Sequence, residues 1–307
     1  TLVGREPLVA AVCERGLKLR LGGGARVVRD NLRPVTALTP GEAPDLLLVT
    51  VKSFSLGPAL EQIKAAVTPR TVIVSLQNGL DNELAIRTAF PDNPVLAGAI
   101  CAYLDSPAPG EVVCADDRVG LGVGSFDGDS EMLARVAGWL RWSGMEVATA
   151  LDGMALKWSK LVLNVAFNAL NAATGLDAGD IMAHREYGPL AAAALKEAFA
   201  AMAAEGIKPV DLPGYPVRKL RLLCRLPAPV VAKGLARATR GANHTVSSMR
   251  QDLRRGRGVT EIQGINGAVV ASAARHGVPA PANQRLVKMV EDAVARGLPH
   301  DADGGAA

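Results

Sequence analysis

Two patterns of hydrophobic positions divide the chain near residue 150. Before that point, short apolar runs alternate with helical patterns, and two of these runs, 46–51 and 71–76, are continuous as expected for strands covered on both faces. After residue 152 the periodicity is almost purely helical, with segments separated by Gly and Pro. The pattern therefore predicts a parallel sheet covered by helices over 1–150, followed by an all-α domain over 151–307.

The turn signals predict the remaining elements of both halves. Residues 17–28 read as a hairpin around three glycines, and 112–114 with 119–123 read as a further antiparallel pair. Other elements expected in the first half are helices at 55–67, 80–89 and 130–142 and strands at 95–100 and 146–150. Helices expected in the second half are 152–175, 185–205, 214–225, 245–255, 260–276 and 282–296, and the tail at 301–307 is expected to be disordered.

The segment 156–175 carries one narrow polar stripe on a helix that is otherwise apolar. At about 100° per residue, Lys160, Asn164, Asn168 and Asn171 lie within roughly 80° of one another. Buried amides and ammonium groups are costly unless they are paired, so the stripe indicates a polar ligand. Burial also lowers the pKa of an ammonium group, which would suit Lys160 to proton donation. The alternative is an amide ladder that joins neighbouring helices.

Two polar residues stand where predicted parallel strands end. Lys52 follows the first apolar run and Asn78 follows the second, and open α/β sheets bind ligands at the carboxyl ends of their strands. Each residue also has an ordinary explanation, because a lysine at a strand end is usually solvated and Asn-Gly is a turn signal.

The amino-terminal residues indicate a choice of dinucleotide. A G-x-G-x-x-G loop is expected between the first strand and helix of a dinucleotide fold, and the sequence has none there; the alternating glycines at 120–124 lie too late. Residues 1–3 look like the end of the second strand, so we expect the glycine loop to precede Thr1. Arg5 stands where an acidic residue would hold the ribose of NAD, and a cation there suits the 2′-phosphate of NADP.

Composition excludes several other classes of protein. Apolar content of 49%, charged content of 21% and a net charge of +4 are ordinary for a globular protein, and the sparse aromatic residues argue against a nucleic-acid binder. Four scattered cysteines give no disulfide framework or CxxC site, and four scattered histidines give no metal site. The sequence has no signal peptide and no membrane span, so a reduced, cytoplasmic setting is expected.

A second polar cluster runs from 243 to 252 and leads to 260–267. Ser247 and Ser248 precede a predicted helix, where hydroxyls most often act as N-caps. Thr260 and Glu261 likewise fit a helix start with an acidic first turn. The arginines at 254, 255 and 257 are expected to form a solvated turn.

Together these pieces resemble ketopantoate reductase (2-dehydropantoate 2-reductase), over nearly the whole chain. The matching segments are VTVKSF at 49–54, SLQNGL at 75–80, KWSKLVLNVAFNALNAATG at 157–175, SSMRQDL at 247–253 and TEIQGINGAVV at 260–270. The resemblance implies an α/β Rossmann-type domain that binds NADP, here without its first strand and glycine loop, followed by an all-α helical domain. It also implies NADPH-dependent reduction of 2-dehydropantoate to pantoate in pantothenate biosynthesis.

The same resemblance implies roles for individual residues of the helical half. Lys160 is similar to the family's catalytic lysine, the proton donor to the substrate carbonyl, and Asn164 and Asn168 are similar to its substrate-binding amides. Ser248 resembles the serine that holds the substrate carboxylate, with Ser247 as the weaker match. Glu261 resembles the glutamate that contacts both substrate and cofactor.

Three residues of the first half match cofactor contacts of the family. Lys52 and Asn78 resemble residues near the nicotinamide ribose, and Asn78 is similar to a residue that also reaches the substrate. Leu104 corresponds to a backbone contact with the cofactor, as a looser match. Two departures are the absent glycine loop and a segment from Asp252 to Glu261 that is one residue longer than usual.

Two other functions remain open at this point. One is a related NADP-dependent reductase of another 2-oxo or 3-hydroxy acid, and the other is a truncated, non-catalytic copy that binds no cofactor. The expected partner is a small 2-oxo acid, with no nucleic acid and no membrane. The helical half is also a candidate surface for a homodimer.

Overall fold

The computed structural model describes residues 1–114, 119–239 and 246–297. Contacts divide the chain into two compact units, the first made of Thr1–Gln77 with Asp81–Gly153 and the second of Asn78–Leu80 with the residues from Met154 on. Two sequence-based expectations, the polar residues 243–245 and the disordered tail at 301–307, lie outside the described residues.

The first unit alternates strands and helices, as the hydrophobic pattern predicts. Its elements in order are β1 (Leu2–Val3), α1 (Glu6–Arg15), β2 (Leu17–Leu21), β3 (Gly24–Val28), β4 (Pro34–Val35), β5 (Leu46–Val49), a 3₁₀ turn (Ser53–Ser55), α2 (Leu56–Ile63), β6 (Val72–Ser75), α3 (Asn82–Ala89), β7 (Val95–Cys101), β8 (Leu104–Asp105), β9 (Glu111–Cys114), β10 (Gly120–Ser125), α4 (Ser130–Arg141) and β11 (Glu146–Ala150).

A five-stranded sheet forms the centre of this unit, in the order β11-β10-β7-β6-β5. Strands β5, β6 and β7 are parallel, whereas β10 runs antiparallel to β7 and β11 runs with β10. Because side chains alternate across a strand, β6 supplies both faces: Ile73 packs with α2 and α3, while Val72 and Val74 pack with α4. The sheet is thus covered on both sides, which confirms the Rossmann-type class.

Two details of the first half differ from the prediction. Strand β5 was expected to be covered on both faces, but Leu48 is 40% exposed because β5 is the edge strand of the sheet. The expected pairing of 112–114 with 119–123 is wrong. Strand β9 pairs with β2 and β8 in a separate four-stranded sheet, β3-β2-β9-β8, whereas β10 pairs with β7 and β11. Both segments alternate suitably for pairing, and sequence alone does not choose the partner.

The glycine hairpin is confirmed. Strands β2 and β3 pair from Leu17 with Val28 to Leu21 with Gly24. The turn between them is Gly22-Gly23, whose φ angles of 52° and 82° lie in the left-handed region that glycine adopts without strain. In a two-stranded sheet, β1 pairs in parallel with β4, and Arg5, separated from β1 by Gly4, is the N-cap residue of α1.

The second unit is helical throughout, as predicted. Its elements are α5 (Gly153–Val165), α6 (Asn168–Thr174), α7 (Ala178–Ala183), α8 (Tyr187–Ala204), α9 (Val217–Leu223), α10 (Ala228–Ala238), α11 (Ser248–Arg254), a π-helical turn (Gln263–Gly267), α12 (Ala268–Arg275) and α13 (Pro281–Arg296). Among the described residues, we find no helix whose length and apolarity would let it cross a membrane. Helices α7 and α10 were not predicted. Helix α7 has only 6 residues, and α10 begins among prolines, which usually signal turns.

The predicted single helix over 156–175 is wrong in one respect. The chain leaves the helix at Ala166 and Phe167, so α5 and α6 are separate helices. Val165 ends α5, and its carbonyl accepts a hydrogen bond of 3.1 Å from the side-chain amide of Asn266. This tertiary contact competes with continuation of the helix, and the local sequence contains no Gly or Pro that would have signalled it.

The contacts of Glu205, the residue that follows α8, lead to a prediction about the stability of the fold at acid pH. Glu205 Oε1 accepts hydrogen bonds of 2.6 Å from both Ser272 Oγ and Arg275, and His276 lies 3.2 Å from Oε2. These contacts, the Ser272 hydroxyl foremost, lower the pKa of Glu205 from 4.5 to about 2.

We expect this carboxylate to stabilise the fold above pH 4.5 and to lose its contribution as the pH falls towards 2, because protonation then favours the unfolded chain. The effect should be about 1–2 kcal/mol, less than the full shift implies because Arg275 is largely in solvent. Urea unfolding at several pH values measures it. Glu205→Gln should flatten the pH dependence in this window; an unchanged profile in that variant would contradict the assignment.

Candidate active site

The candidate site of the second unit is built on α5. Leu156, Leu161 and Val162 are buried, as expected for a helix that is apolar over most of its circumference. Lys160 is partly buried, and Asn164, one turn further on, is only 8% exposed. The fold therefore holds the ammonium group and the first amide of the stripe on adjacent turns of a buried helix.

Hydrogen bonds join three of the predicted site residues into a chain. Asn164 Nδ2 donates to Asn78 Oδ1 at 3.2 Å, and Asn78 Nδ2 donates to Glu261 Oε2 at 3.4 Å. Glu261 is 6% exposed. These residues come from three distant parts of the sequence, so their contact is a result of the tertiary fold. These two hydrogen bonds fix the orientation of both side-chain amides.

The start of α11 lies against α6 and carries the two candidate serines. Ser247 caps α11 by accepting a hydrogen bond from Arg250 N, and its hydroxyl donates to the carbonyl of Asn168 at 3.3 Å. Ser247 is thus fully used in structural contacts, as the N-cap interpretation predicts. Ser248, the first residue of the helix, follows Ser247 directly, and both Ser248 and Asn168 are partly buried.

The side chain of Asn171 makes structural hydrogen bonds within the second unit. Its Oδ1 accepts from Ser247 N at 2.9 Å, and its Nδ2 donates to the carbonyl of Leu176 at 3.0 Å. For this member of the polar stripe the alternative explanation is correct: the amide ties helices together.

The segment between α11 and Glu261 is closed by an ion pair. Asp252 is completely buried, and its Oδ1 lies 2.7 Å from Arg257 Nη1, while Arg257 N donates to the carbonyl of Asp252 at 3.0 Å. Arg257 is therefore not part of a solvated turn, which corrects the sequence prediction. Beyond this loop, Glu261 accepts a hydrogen bond from Asn78.

The first unit holds three of the predicted cofactor residues, Arg5, Lys52 and Leu104. Strands β5 and β6 end side by side, with Val49 opposite Ser75, and Gln77 Nε2 donates to the carbonyl of Val51 at 2.7 Å. Lys52 is partly buried at the start of the 3₁₀ turn that follows β5. Gln77, whose side chain fastens the two strand ends, was not singled out from the sequence, because nothing but its position after a strand distinguishes it.

Arg5 and Leu104 lie elsewhere in the same unit. Arg5 is exposed at the N-terminus of α1, where backbone N–H groups also favour an anion. Leu104 is 38% exposed and begins β8 of the four-stranded sheet. Its backbone is thus at a sheet edge in a different sheet from the one that precedes Lys52.

Metal and thiol chemistry find no support in the part of the chain that the structure describes. No group of three or more His, Cys, Asp or Glu side chains there could hold a metal ion. None of the four cysteines, all of which the structure describes, forms a disulfide, and burial raises the pKa of the Cys224 thiol to about 11, which makes it a poor nucleophile.

Comparison with protein families assigns both halves of the chain. The model described as "Ketopantoate reductase PanE/ApbA" matches residues 1–128, and the one described as "Ketopantoate reductase PanE/ApbA C terminal" matches residues 152–293. Proteins named 2-dehydropantoate 2-reductase from Pyrococcus horikoshii and Halobacterium salinarum are 27% and 28% identical. They align with 95% and 94% of this chain and with 88% and 89% of their own lengths.

Solved structures agree with this match. The PanE/ApbA family ketopantoate reductase from Ralstonia eutropha JMP134 is 27% identical, with a TM-score of 0.76 over 96% of this chain and 91% of that one. The fold also resembles D-mandelate dehydrogenase, solved with NADH and anilino(oxo)acetate, at a TM-score of 0.79 and 21% identity over 95% of this chain and 90% of that one. The chain belongs to the ketopantoate reductase family, a family of oxidoreductases.

Proposed function

We propose that the protein catalyses the NADPH-dependent reduction of 2-dehydropantoate to (R)-pantoate, a step of pantothenate biosynthesis. The observation that carries the proposal is the hydrogen-bonded chain Asn164–Asn78–Glu261, which lies one helical turn from Lys160. Relatives that are named 2-dehydropantoate 2-reductase and that align with nearly the whole chain support the same substrate.

Reduction of a 2-oxo acid places growing negative charge on the carbonyl oxygen. In the proposal, Lys160 stabilises that charge and then transfers a proton from Nζ to the oxygen, as a general acid. Asn164 and Asn168 orient the substrate, and Ser248 binds its carboxylate. Orientation of this kind can supply several kcal/mol of the rate enhancement, provided that the groups are held rigidly, and the bonds of Asn164 to Asn78 provide such support.

The residues of the first unit fit a pyridine nucleotide with a 2′-phosphate. Arg5 brings an exposed cation to a helix N-terminus after β1, which is the arrangement that binds phosphate. Lys52 and the backbone of Leu104 are further proposed contacts from this unit, and Asn78 and Glu261 are the proposed contacts from the second unit. NADPH, when bound, supplies the hydride. The NADH complex of D-mandelate dehydrogenase supports a nicotinamide cofactor in this fold, and Arg5 favours NADPH over NADH.

A second candidate function is reduction of a different 2-oxo acid. The similarity of fold to D-mandelate dehydrogenase favours this alternative, since that protein was solved with the oxo acid anilino(oxo)acetate. A panel of 2-oxo acids, followed by loss of NADPH absorbance with the full-length protein, separates the two. We expect kcat/KM for 2-dehydropantoate to exceed that for the aromatic and the straight-chain oxo acids by at least about 10-fold, since its branched and hydroxyl groups add contacts. A higher value for another acid would replace the assigned substrate.

Two further possibilities concern binding and assembly. A non-catalytic copy would bind no NADPH, so a fluorescence titration of the full-length protein distinguishes it from an enzyme that is active on an untested substrate.

We also propose a homodimer through the helical unit. That unit exposes Leu222, Leu226 and Val230, and exposed large apolar side chains of this kind mark contact surfaces. Sedimentation velocity tests the dimer.

A further inference from the structure

A fully buried network of side-chain amides lies behind the α5–α6 break. Asn266 and Asn283 are both 0% exposed, and Asn266 Nδ2 donates to the carbonyl of Val165 at 3.1 Å and to Asn283 Oδ1 at 3.0 Å. Both N–H groups of the Asn266 amide are therefore committed, and the Val165 carbonyl belongs to the last residue of α5. The final carbonyls of a helix have no partner within the helix, so this bond stabilises the end of α5 at Val165.

The network continues to α8 and α13. Asn283 Nδ2 donates to the carbonyl of Ala194 at 3.0 Å and to Glu197 Oε2 at 2.8 Å. The same carboxylate accepts the backbone N–H groups of Ala282 and Asn283, both at 2.9 Å, and so caps the N-terminus of α13. Asn283 is thus anchored independently of Asn266, which makes the network rigid on the side away from α5.

Asn266 lies in a π-helical turn, Gln263–Gly267, that begins directly after Glu261 and Ile262. Its Oδ1 is buried and accepts no hydrogen bond from any described residue. An unsatisfied buried acceptor carries a cost, and π-helical turns are rare features that are frequently found at functional sites. Both features occur where one side chain joins the Glu261 segment to the end of α5.

We propose that Asn266 is a positioning residue for the reduction: its amide holds the break between α5 and α6 and so sets Lys160 and Asn164 relative to Asn168, on a turn continuous with Glu261. The proposal depends on the proposed function for its effect on turnover, but its effect on the helix break does not. Without the Asn266 donor, the Val165 carbonyl can accept from residue 169 and continue the helix, which would rotate Asn168 and every residue after it.

Asn266→Ala and Asn283→Ala form a matched pair of variants. Each removes the Asn266–Asn283 hydrogen bond from a fully buried site, but only Asn266→Ala removes the bond to Val165. Both should lower Tm. We expect kcat per folded molecule for the best 2-oxo acid to fall about 10–100-fold in Asn266→Ala, with a smaller change in KM, and to fall less than about 3-fold in Asn283→Ala. Asn266→Ser takes the place of the alanine variant if that variant does not fold.

Hydrogen exchange supplies a readout that does not depend on turnover. In Asn266→Ala the exchange rates of backbone amides in 165–171 should change by about 10-fold or more, whereas those in Asn283→Ala should stay close to the wild type. Equal loss of Tm in the two variants, with wild-type kcat and unchanged exchange in this segment, would reduce Asn266 to a purely structural role. If the wild-type protein reduces none of the oxo acids, the proposed function fails, and the exchange rates alone decide on Asn266.

Discussion

Replacing Lys160 by alanine should lower kcat for 2-dehydropantoate at least about 100-fold, the usual size of a general-acid effect. The ammonium group has two proposed tasks, stabilising charge on the carbonyl oxygen and giving it a proton. Lys157, the other lysine of α5, is only 2% exposed and is proposed for neither task. The substrate KM should change less, because Asn164, Asn168 and Ser248 remain. Steady-state kinetics of the full-length variant, with its fold checked by circular dichroism, measures the effect.

Lys160→Arg separates the two tasks. A guanidinium keeps the positive charge, but it does not release a proton near neutral pH. We expect this variant to bind the substrate with a KM close to that of the wild type and to recover little of the kcat that Lys160→Ala loses. Near-normal kcat in either variant would remove Lys160 from the role of proton donor and, with it, the main support for the proposed mechanism.

Replacing Arg5 by alanine should raise the KM for NADPH about 10–100-fold and leave that for NADH nearly unchanged. The proposed contact is a charge-assisted hydrogen bond to the 2′-phosphate, worth about 1.5–3 kcal/mol, and NADH lacks that phosphate. The prediction is therefore a loss of preference for NADPH and not a general loss of activity. Initial rates with both nucleotides measure it.

Arg15 provides the matched control on the same helix. It is an exposed arginine in the last turn of α1, bonded to the neighbouring Glu14, so Arg15→Ala removes the same charge from the opposite end of the helix. This variant should keep the NADPH preference within about 2-fold, because an exposed charge one helix length away is screened by solvent and salt. Equal effects of the two substitutions would point to a general electrostatic attraction in place of a phosphate site.

Much of the fold was predictable because it depends on local patterns. The continuous apolar run before Lys52 and the one before Gln77 become β5 and β6, and the Gly-rich turn after Leu21 becomes a hairpin. Helical periodicity after residue 152 gave the class of the second unit. These features follow from side-chain spacing and turn chemistry, which act within a few residues of one another.

The candidate site was only partly predictable. Motif order identified Asn78, Asn164 and Glu261, but their direct hydrogen bonds depend on packing among segments far apart in the chain. The same packing assigns Asn171 and Ser247 to structural contacts, although their residue types and spacing resemble those of binding residues. Asn266 went unnoticed because an asparagine near a helix start has no distinctive local signal.

By itself the sequence determined where most of the strands and helices form, which family the motifs resemble, and which lysine stands on a buried helix, since each follows from composition, order and period. Only the tertiary structure decided where α5 ends, which strands pair with β9 and β10, and which amides remain beside Lys160. Those outcomes depend on hydrogen-bond partners that distant segments supply, as Asn266 supplies a donor to the carbonyl of Val165 at the end of α5.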